Sequence, residues 1–224
     1  MAADCGDDRS FDLITARCLE YYRAPKGRGP MDIVREVMDD ASFPMHNFAH
    51  HYLVPAVLMA EVCLRDGTLE AEFGKKLDEV RRRARNVLPA FCGLYGACGA
   101  AVGCGIFMSV YTGTTPLSKD TWSLCNYATA GALSEMAKLG GPRCCKRNTF
   151  AALLFMKKYI AQHLGTVVGV PDGVACRYSK FNNECLKEKC PFYEAEDCAA
   201  PEPRAEAKRL RCSHALIDGE AVPL

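Results

Sequence analysis

The apolar residues Leu69, Phe73, Leu77, Val80, Ala84 and Val87 recur at steps of three and four. That spacing lays them along one face of an α-helix, and the opposite face carries Lys75, Lys76, Arg81, Arg82, Arg83 and Arg85, a charge run best read as a solvated surface. The same period, not the alternation of a strand, recurs along nearly the whole chain. It predicts helices over 11–24, 31–40, 45–64, 69–87, 97–111, 119–138 and 142–163. A long series of amphipathic helices restricts the fold to helix packed on helix. The expectation is therefore a single all-α domain.

The breakers between these segments fit that reading. The run Ala-Pro-Lys-Gly-Arg-Gly-Pro30 closes the first helix. Pro55 lies inside the third and has no N–H to offer the His51 carbonyl, so a kink or local opening is expected there. Ser118 reads as an N-cap, Gly140-Gly141 and Gly165 as helix stops, and Pro142 as a first-turn residue. Only 166–170 looks strand-like. Residues 171–198 are irregular and cysteine-rich, and the stretch from Ala199 onward, with Pro201 and Pro203, reads as a loosely held tail. The organisation expected is a helical domain over 1–170, a cysteine-rich segment over 171–198 packed on it, and a tail over 199–224.

Charge and cysteine content then limit the function classes. A formal net charge of +1 gives no basic field for nucleic acid. The first residues, Met-Ala-Ala-Asp-Cys-Gly-Asp-Asp, lack the basic and apolar regions of a signal peptide, which points to the cytoplasm. There the fourteen cysteines are expected to be reduced, metal-bound or catalytic, not paired in disulfides. The stretch 86–118 carries no charged side chain, long enough to span a bilayer. Its six glycines and three cysteines favour a buried segment of a helical domain, so no membrane association is expected.

Three constellations carry chemistry. The first joins Cys92-Gly-Leu-Tyr-Gly-Ala-Cys98-Gly to Gly140-Gly-Pro-Arg143-Cys144-Cys145-Lys-Arg147. Neighbouring Cα atoms lie about 3.8 Å apart, short of the usual disulfide range, so Cys144 and Cys145 resist bonding to each other. Glycines 93 and 96 break the chain, which puts Cys92 in a loop and Cys98 in the first turn of the next helix. Cys144 and Cys145 fall in a first turn too, where the helix dipole and nearby basic residues favour thiolate. Two such turns brought together would build one pocket for a metal, a cluster or an anionic sulfur substrate. Cys98 is thus expected close to Cys144 or Cys145, with Arg143 beside the ligand.

The second constellation is Cys176-x8-Cys185-x4-Cys190-Pro191, with Cys198 beyond. Thiols in a polar, irregular stretch have no packing reason to be cysteine. The Cys-Pro ending occurs in iron–sulfur proteins, whereas the short Cys-x2–4-Cys knuckle usual for zinc is missing. An iron–sulfur cluster is the first choice and zinc the alternative. The third is His46-Asn-Phe-Ala-His50-His51, whose His46 and His50 share a helix face. His50 and His51 are candidates for proton transfer or ligation beside the thiols. Asn126, one turn from Trp122, could bond a ligand, and Trp122 itself is expected to pack in the core.

These blocks resemble a known family. His50-His51-Tyr-Leu-Val-Pro-Ala56, Cys92-Gly-Leu-Tyr-Gly-Ala-Cys98-Gly-Ala, Thr112-Gly-Thr-Thr-Pro-Leu-Ser118, the 140–147 block and Asn183-Glu-Cys-x4-Cys-Pro191 together resemble the domain-of-unknown-function family 5714. Its members occur largely in anaerobic bacteria and archaea, some joined to radical-SAM or methyltransferase domains. The resemblance implies anaerobic metal or sulfur chemistry and names no reaction.

The functional expectation is a cysteine-rich, iron–sulfur metal protein in redox or sulfur transfer, with a small-molecule or protein partner of that chemistry. Cys98, Cys144, Cys145, His50 and His51 would carry the reaction, and Cys92, Arg143 and Asn126 would bind a cofactor. Cys92, Cys98, Cys144, Cys145, Cys176, Cys185 and Cys190 are the metal candidates. A non-enzymatic interaction module stabilised by zinc or iron–sulfur is the alternative. Whether Cys104 or Cys198 is a ligand stays open.

Overall fold

The computed structural model describes residues 8–194 and the backbone of a short strand pair at 214–217 and 220–223. The expectations for residues 199–213, for Cys198 and for the N-terminal segment fall outside the described residues. Among the described residues eight α-helices follow in order: α1 Asp8–Arg23, α2 Pro30–Asp39, α3 Ala49–Arg65, α4 Glu70–Arg85, α5 Phe91–Leu94, α6 Gly99–Thr112, α7 Thr121–Leu139 and α8 Cys145–Leu164. The fold is all-α. The two strands, β1 His214–Ile217 and β2 Glu220–Pro223, form one antiparallel pair.

Helix α3 is the axis of the molecule. Every residue from Ala49 to Cys63 is buried, because α1, α2, α4, α6 and α8 all pack against it. A helix apolar on every face is the sequence form of such a position. The surrounding helices are one-sided. In α1, Phe11, Ile14, Cys18 and Tyr21 are buried, and in α4 Phe73, Leu77, Val80 and Ala84 are. Each fully buried side chain of this size contributes about 1.5–3 kcal/mol relative to exposure. The basic face of α4 is paired at the surface: Arg82 and Arg83 with Glu79, and Arg81 with Asp12.

Helix α6 lies between α3 and α7, and its glycines permit the approach. A Cβ on Gly103 would stand 2.7 Å from Pro55 Cδ and 2.9 Å from the His51 carbonyl oxygen. A Cβ on Gly105 would stand 2.1 Å from Thr129 Oγ1. The α3 axis runs on through Pro55, and the His51 carbonyl that proline leaves without an intrahelical partner is covered by the Gly103 backbone.

Several sequence expectations need correction. Residues 166–170 form no strand: Val170 N–H donates back to the Val168 carbonyl at 2.8 Å in a tight turn, and Gly169 N–H donates to Glu61 Oε1 at 2.8 Å. Among the described residues no strand pairs with this stretch, and a ladder needs a partner. Asp120, not Ser118, precedes α7, and Ser118 Oγ accepts from Thr115 N–H within the preceding turn. Helix α8 starts at Cys145, and Pro142 lies in the loop before it after a cis Gly141–Pro142 bond. Trp122 is 51% exposed and does not pack in the core. Helix α6 is only 14 residues long, and among the described residues no helix is long and apolar enough to cross a membrane.

Residues 171–194 lie against this helical body, held by specific contacts. Tyr178 Oη donates to Asp39 Oδ1 at 2.8 Å, and Arg177 pairs with the same carboxylate. Phe192 meets Phe150 edge to face at 5.6 Å. His46 Nε2 and Asn182 Oδ1 are 2.9 Å apart.

Candidate functional site

Three chain segments meet at the N-terminal end of α3. The first is that end and the turn before it: His50 and His51 lie in the first turn of α3, whereas His46 and Asn47 precede the helix, so His46 and His50 do not share a helix face as the spacing predicts. The second is the 86–98 connection, which adopts left-handed backbone at Ala90 (φ 63) and Gly96 (φ 67). It makes the single turn α5 and delivers Cys98 as the N-cap of α6. The third is the 140–144 loop, which delivers Cys144 as the N-cap of α8. Together they enclose a cavity of about 30 Å3, room for roughly one water or one ion. Cys92, Cys98, Cys145, His46, His50, His51, Arg143 and Asn148 line it with Pro89 and Ala90.

Cys92, Cys98, Cys145, His50, His51 and Arg143 thus share one cavity. The other candidates, Asn126, Cys144, Cys176, Cys185 and Cys190, do not join them. Asn126 is exposed on α7, where its Nδ2 donates to the Trp122 carbonyl at 2.9 Å. Cys144 is absent from the cavity wall, and its sulfur accepts from Arg147 N–H at 3.5 Å. Adjacent residues at a helix start point in different directions, about 100° apart once helical, so one pair of cysteines serves two places. Cys176 is bridged to Tyr193, whose N–H donates to the Cys190 carbonyl at 3.0 Å. Cys104 is buried in the α6 core, donating to the Ala100 carbonyl at 3.4 Å.

The imidazoles are fixed by acceptors. His50 Nδ1 is 3.1 Å from both the Asn47 carbonyl and Asn47 Oδ1, and His51 Nδ1 is 3.1 Å from the Val87 carbonyl. A carbonyl oxygen only accepts, so each Nδ1 carries the proton and each Nε2 a lone pair. His50 Nε2 is buried and without a hydrogen-bond partner. The His51 ring lies so close over Gly99 that a Cβ there would fall 2.1 Å from its Cδ2. Burial pushes His50 well below the ordinary imidazole range and His51 down to about 4. Both rings are therefore neutral near pH 7, the form that ligates a metal or accepts a proton.

The thiols depart from the expectation of lowered pKa. Burial pushes Cys98 and Cys144 up, against hydrogen bonds from Asn148 Nδ2 to the Cys98 sulfur (3.2 Å) and from Arg147 N–H to the Cys144 sulfur. Burial also takes Cys145 and Cys176 up to about 12, although the Arg143 charge opposes it at Cys145. Desolvation outweighs the helix termini here. The described cysteines are all free thiols. Among the described residues, no three His, Cys, Asp or Glu side chains are already drawn close enough to hold a metal ion.

Lys146, unmarked as a site residue in the sequence reading, is the least expected group. It is 2% exposed, and its Nζ has no hydrogen-bond partner. The ammonium lies 4.6 Å from the Tyr178 ring centroid and 5.2 Å from that of Phe43. Burial lowers it to about 8, while the nearby Cys144, Cys145 and Cys176 act to raise it. Asn148, also unmarked, lies one helical turn beyond Cys144 and Cys145, the one signal that places it at the thiols.

The architecture and its cavity define a helical protein with a cysteine–histidine site at the junction of three helix starts. The chain belongs to DUF5714, a family of unknown function whose model matches residues 18–193. Neither a curated protein nor a solved structure matches the chain.

Proposed function

We propose that this is a cysteine-rich metal protein that holds an iron–sulfur centre at the α3 cavity and uses it in redox or sulfur-transfer chemistry. The observation that carries the reading is the orphaned Nε2 of His50 in a cavity also lined by Cys92, Cys98 and Cys145. A buried acceptor without a partner costs about 1–3 kcal/mol, and a metal would satisfy it. Soft thiolates with imidazole suit iron or zinc over harder ions. Cys92, Cys98 and Cys145 would hold the centre, with His50 or His51 as the nitrogen donor. The Asn47 and Val87 carbonyls fix the histidine tautomers, as outer partners of metal-bound histidines usually do. When bound, the centre would supply electron transfer or a transferable sulfur. Asn148 steadies the Cys98 sulfur, and Arg143 offers positive charge to an anionic small molecule or to a protein redox partner at the mouth.

A second reading is a non-enzymatic module built around one zinc ion on the same donors. The cavity volume of about 30 Å3 favours it, since a single ion needs less space than a cluster.

Anaerobic purification followed by iron, zinc and acid-labile sulfide analysis separates the two. Iron with sulfide and visible charge-transfer absorption, lost in Cys98→Ser and Cys145→Ser and altered in His50→Gln, supports the first. Stoichiometric zinc without sulfide supports the second. Protein that binds neither metal under reducing, anaerobic conditions defeats both.

A further inference from the structure

We infer that the exposed face of α7 is the contact surface of a two-fold homodimer, in which Trp122 of each copy enters the groove between α7 and α8 of the other. None of the residues involved lines the α3 cavity, so the inference stands apart from what that cavity holds.

Helix α7 packs mainly on α6 and α8, and only Cys125, Ala128, Ala132 and Met136 of its 19 residues are buried. At about 100° per residue, the exposed Trp122, Asn126, Ala130, Ser134 and Tyr127 share one arc, with Ala130 near its middle and Trp122 and Tyr127 at its edges. From Thr121 to Ser134 there is no charged side chain. Of the seven large apolar side chains exposed among the described residues, Leu117, Trp122 and Tyr127 lie here, at 91%, 51% and 68%. The solvent face of a helix is ordinarily charged or polar, and a contiguous exposed apolar patch marks an interaction surface.

A second copy fits this face because knob and groove stand at symmetry-related places. The groove opens beside the other end of the same helix, with about 460 Å3 between Leu139, Leu154, Phe155 and Phe192 and with Glu135 and Lys158 at its rim. A two-fold axis through Ala130 lays two α7 helices antiparallel. It sets Ala130 on itself, Asn126 against the partner's Ser134, and Trp122 against the partner's Lys138, next to the partner's Leu139. The same axis carries each side chain to the opposite edge of the arc. Trp122 lies at the α6 edge, since the neighbouring Thr129 closes on Gly105 of α6; the other edge belongs to α8, where Gly131 closes on the Phe155 ring. Each Trp122 therefore arrives at the partner's α8 edge, where the groove opens. This is the self-complementarity that an isologous interface requires. Asn126 Nδ2 already donates to the Trp122 carbonyl at 2.9 Å, which leaves its Oδ1 to accept from the partner's Ser134. The rim cation of Lys158 suits an indole face.

The area suffices for a reversible dimer. A helix of this length is about 28 Å long and about 12 Å across, a strip of roughly 300 Å2. The exposed half of Trp122 and the groove wall it covers add about 100 Å2 each. The sum, about 500 Å2 per copy and about 1,000 Å2 in total, reaches what a specific interface needs and no more. An uncharged face brings no like-charge repulsion between copies. The expected dimer dissociates in the micromolar range.

Trp122 is the sole tryptophan of the chain, so its fluorescence reads the interface directly. The test is analytical ultracentrifugation of the full chain under reducing conditions, over a concentration series that brackets the micromolar range, with Trp122 emission and acrylamide quenching followed in parallel. The mass should double with concentration, and over the same range the emission should shift to the blue and quenching should fall. Ala130→Arg places two like charges and two long side chains on the axis and should hold the chain monomeric. Its helical circular dichroism should stay, since Ala130 is exposed and arginine is a good helix former. Trp122→Ala should raise the dissociation constant by about 30-fold or more, the mark of an interface hot spot. A chain that stays monomeric throughout overturns the inference, whether the face stays bare or the chain's own residues beyond 194 cover it. So does a dimer that Ala130→Arg leaves intact, or one in which Trp122 stays as open to quencher as in the monomer.

Discussion

Replacing Gly99 by alanine tests how the cavity wall is built. A Cβ at this position would stand 2.1, 2.2 and 2.3 Å from Cδ2, Cγ and Nε2 of His51. Ordinary carbon contacts begin near 3.5 Å, so the ring would have to retreat by about 1 Å or more. It cannot do so freely, because its Nδ1 is tied to the Val87 carbonyl at 3.1 Å. Overpacking of this kind costs about 1–3 kcal/mol, and loss of the tie adds about 1 kcal/mol. Against this, alanine gains up to about 1 kcal/mol of helix propensity. The net expectation for Gly99→Ala is a loss of about 1–3 kcal/mol. In a His51→Ala background the overlap is gone, and the same change should be neutral or stabilising by up to about 1 kcal/mol. Urea unfolding of the two single variants, the double variant and the parent gives the coupling directly. It should reach about 2 kcal/mol or more, where independent sites add to within about 0.5 kcal/mol. Gly93→Ala is the control, since a Cβ there meets nothing within 4 Å and the backbone is not left-handed. Additive behaviour of Gly99→Ala and His51→Ala would refute the reasoning.

Other consequences can be checked on the same preparation. Asn182→Ala removes the acceptor of the buried His46 and should cost about 1–3 kcal/mol, with faster proteolysis confined to 171–194; unchanged cleavage there counts against the His46 tie. Phe107→Ala, a fully buried ring on α6, should cost about 3–5 kcal/mol by urea unfolding. Hydrogen bonds from Arg82 and Arg83 hold the Glu79 carboxyl down at about 2. A carboxylate lowered on folding stabilises above its unfolded pKa near 4.5 and loses that contribution as pH falls through about 2. The pair is largely solvated, so the effect should stay below about 1 kcal/mol. Nuclear magnetic resonance titration of Glu79 reads it, and a midpoint near 4.5 would contradict the pairing.

Much of the fold was legible because helix periodicity is a local property. The 69–87 pattern places Phe73, Leu77, Val80 and Ala84 inward, and the structure buries all four. Glycine stops at 140 and 165 were readable too, since both take positive φ. What failed depended on partners distant in sequence. The 166–170 run has strand composition, but among the described residues no second strand pairs with it. Trp122 has a core residue's chemistry and an exposed place on α7. The meeting of Cys92, Cys98 and Cys145 followed from glycine-broken helix starts, whereas the raised pKa of Cys98 and Cys145 did not, because burial is set by the whole assembly. The turning apart of Cys144 and Cys145 was hidden for a related reason. Where a side chain points at an N-cap depends on the loop that feeds it, and Lys146 looked like one more charge beside two others.

The position of α3 divides the cavity into two mechanically unlike halves. His50 and His51 belong to a rod packed by five other helices, so moving either ring means disturbing the whole core. Cys92, Arg143 and the approach to Cys145 belong to connections with few neighbours of their own. A ligand arriving at this cavity therefore meets an anvil on one side and fingers on the other. Adjustment to its size or charge falls on the 86–98 and 140–144 segments, and hydrogen exchange that slows on loading should slow there first, with the amides of α3 protected before and after alike.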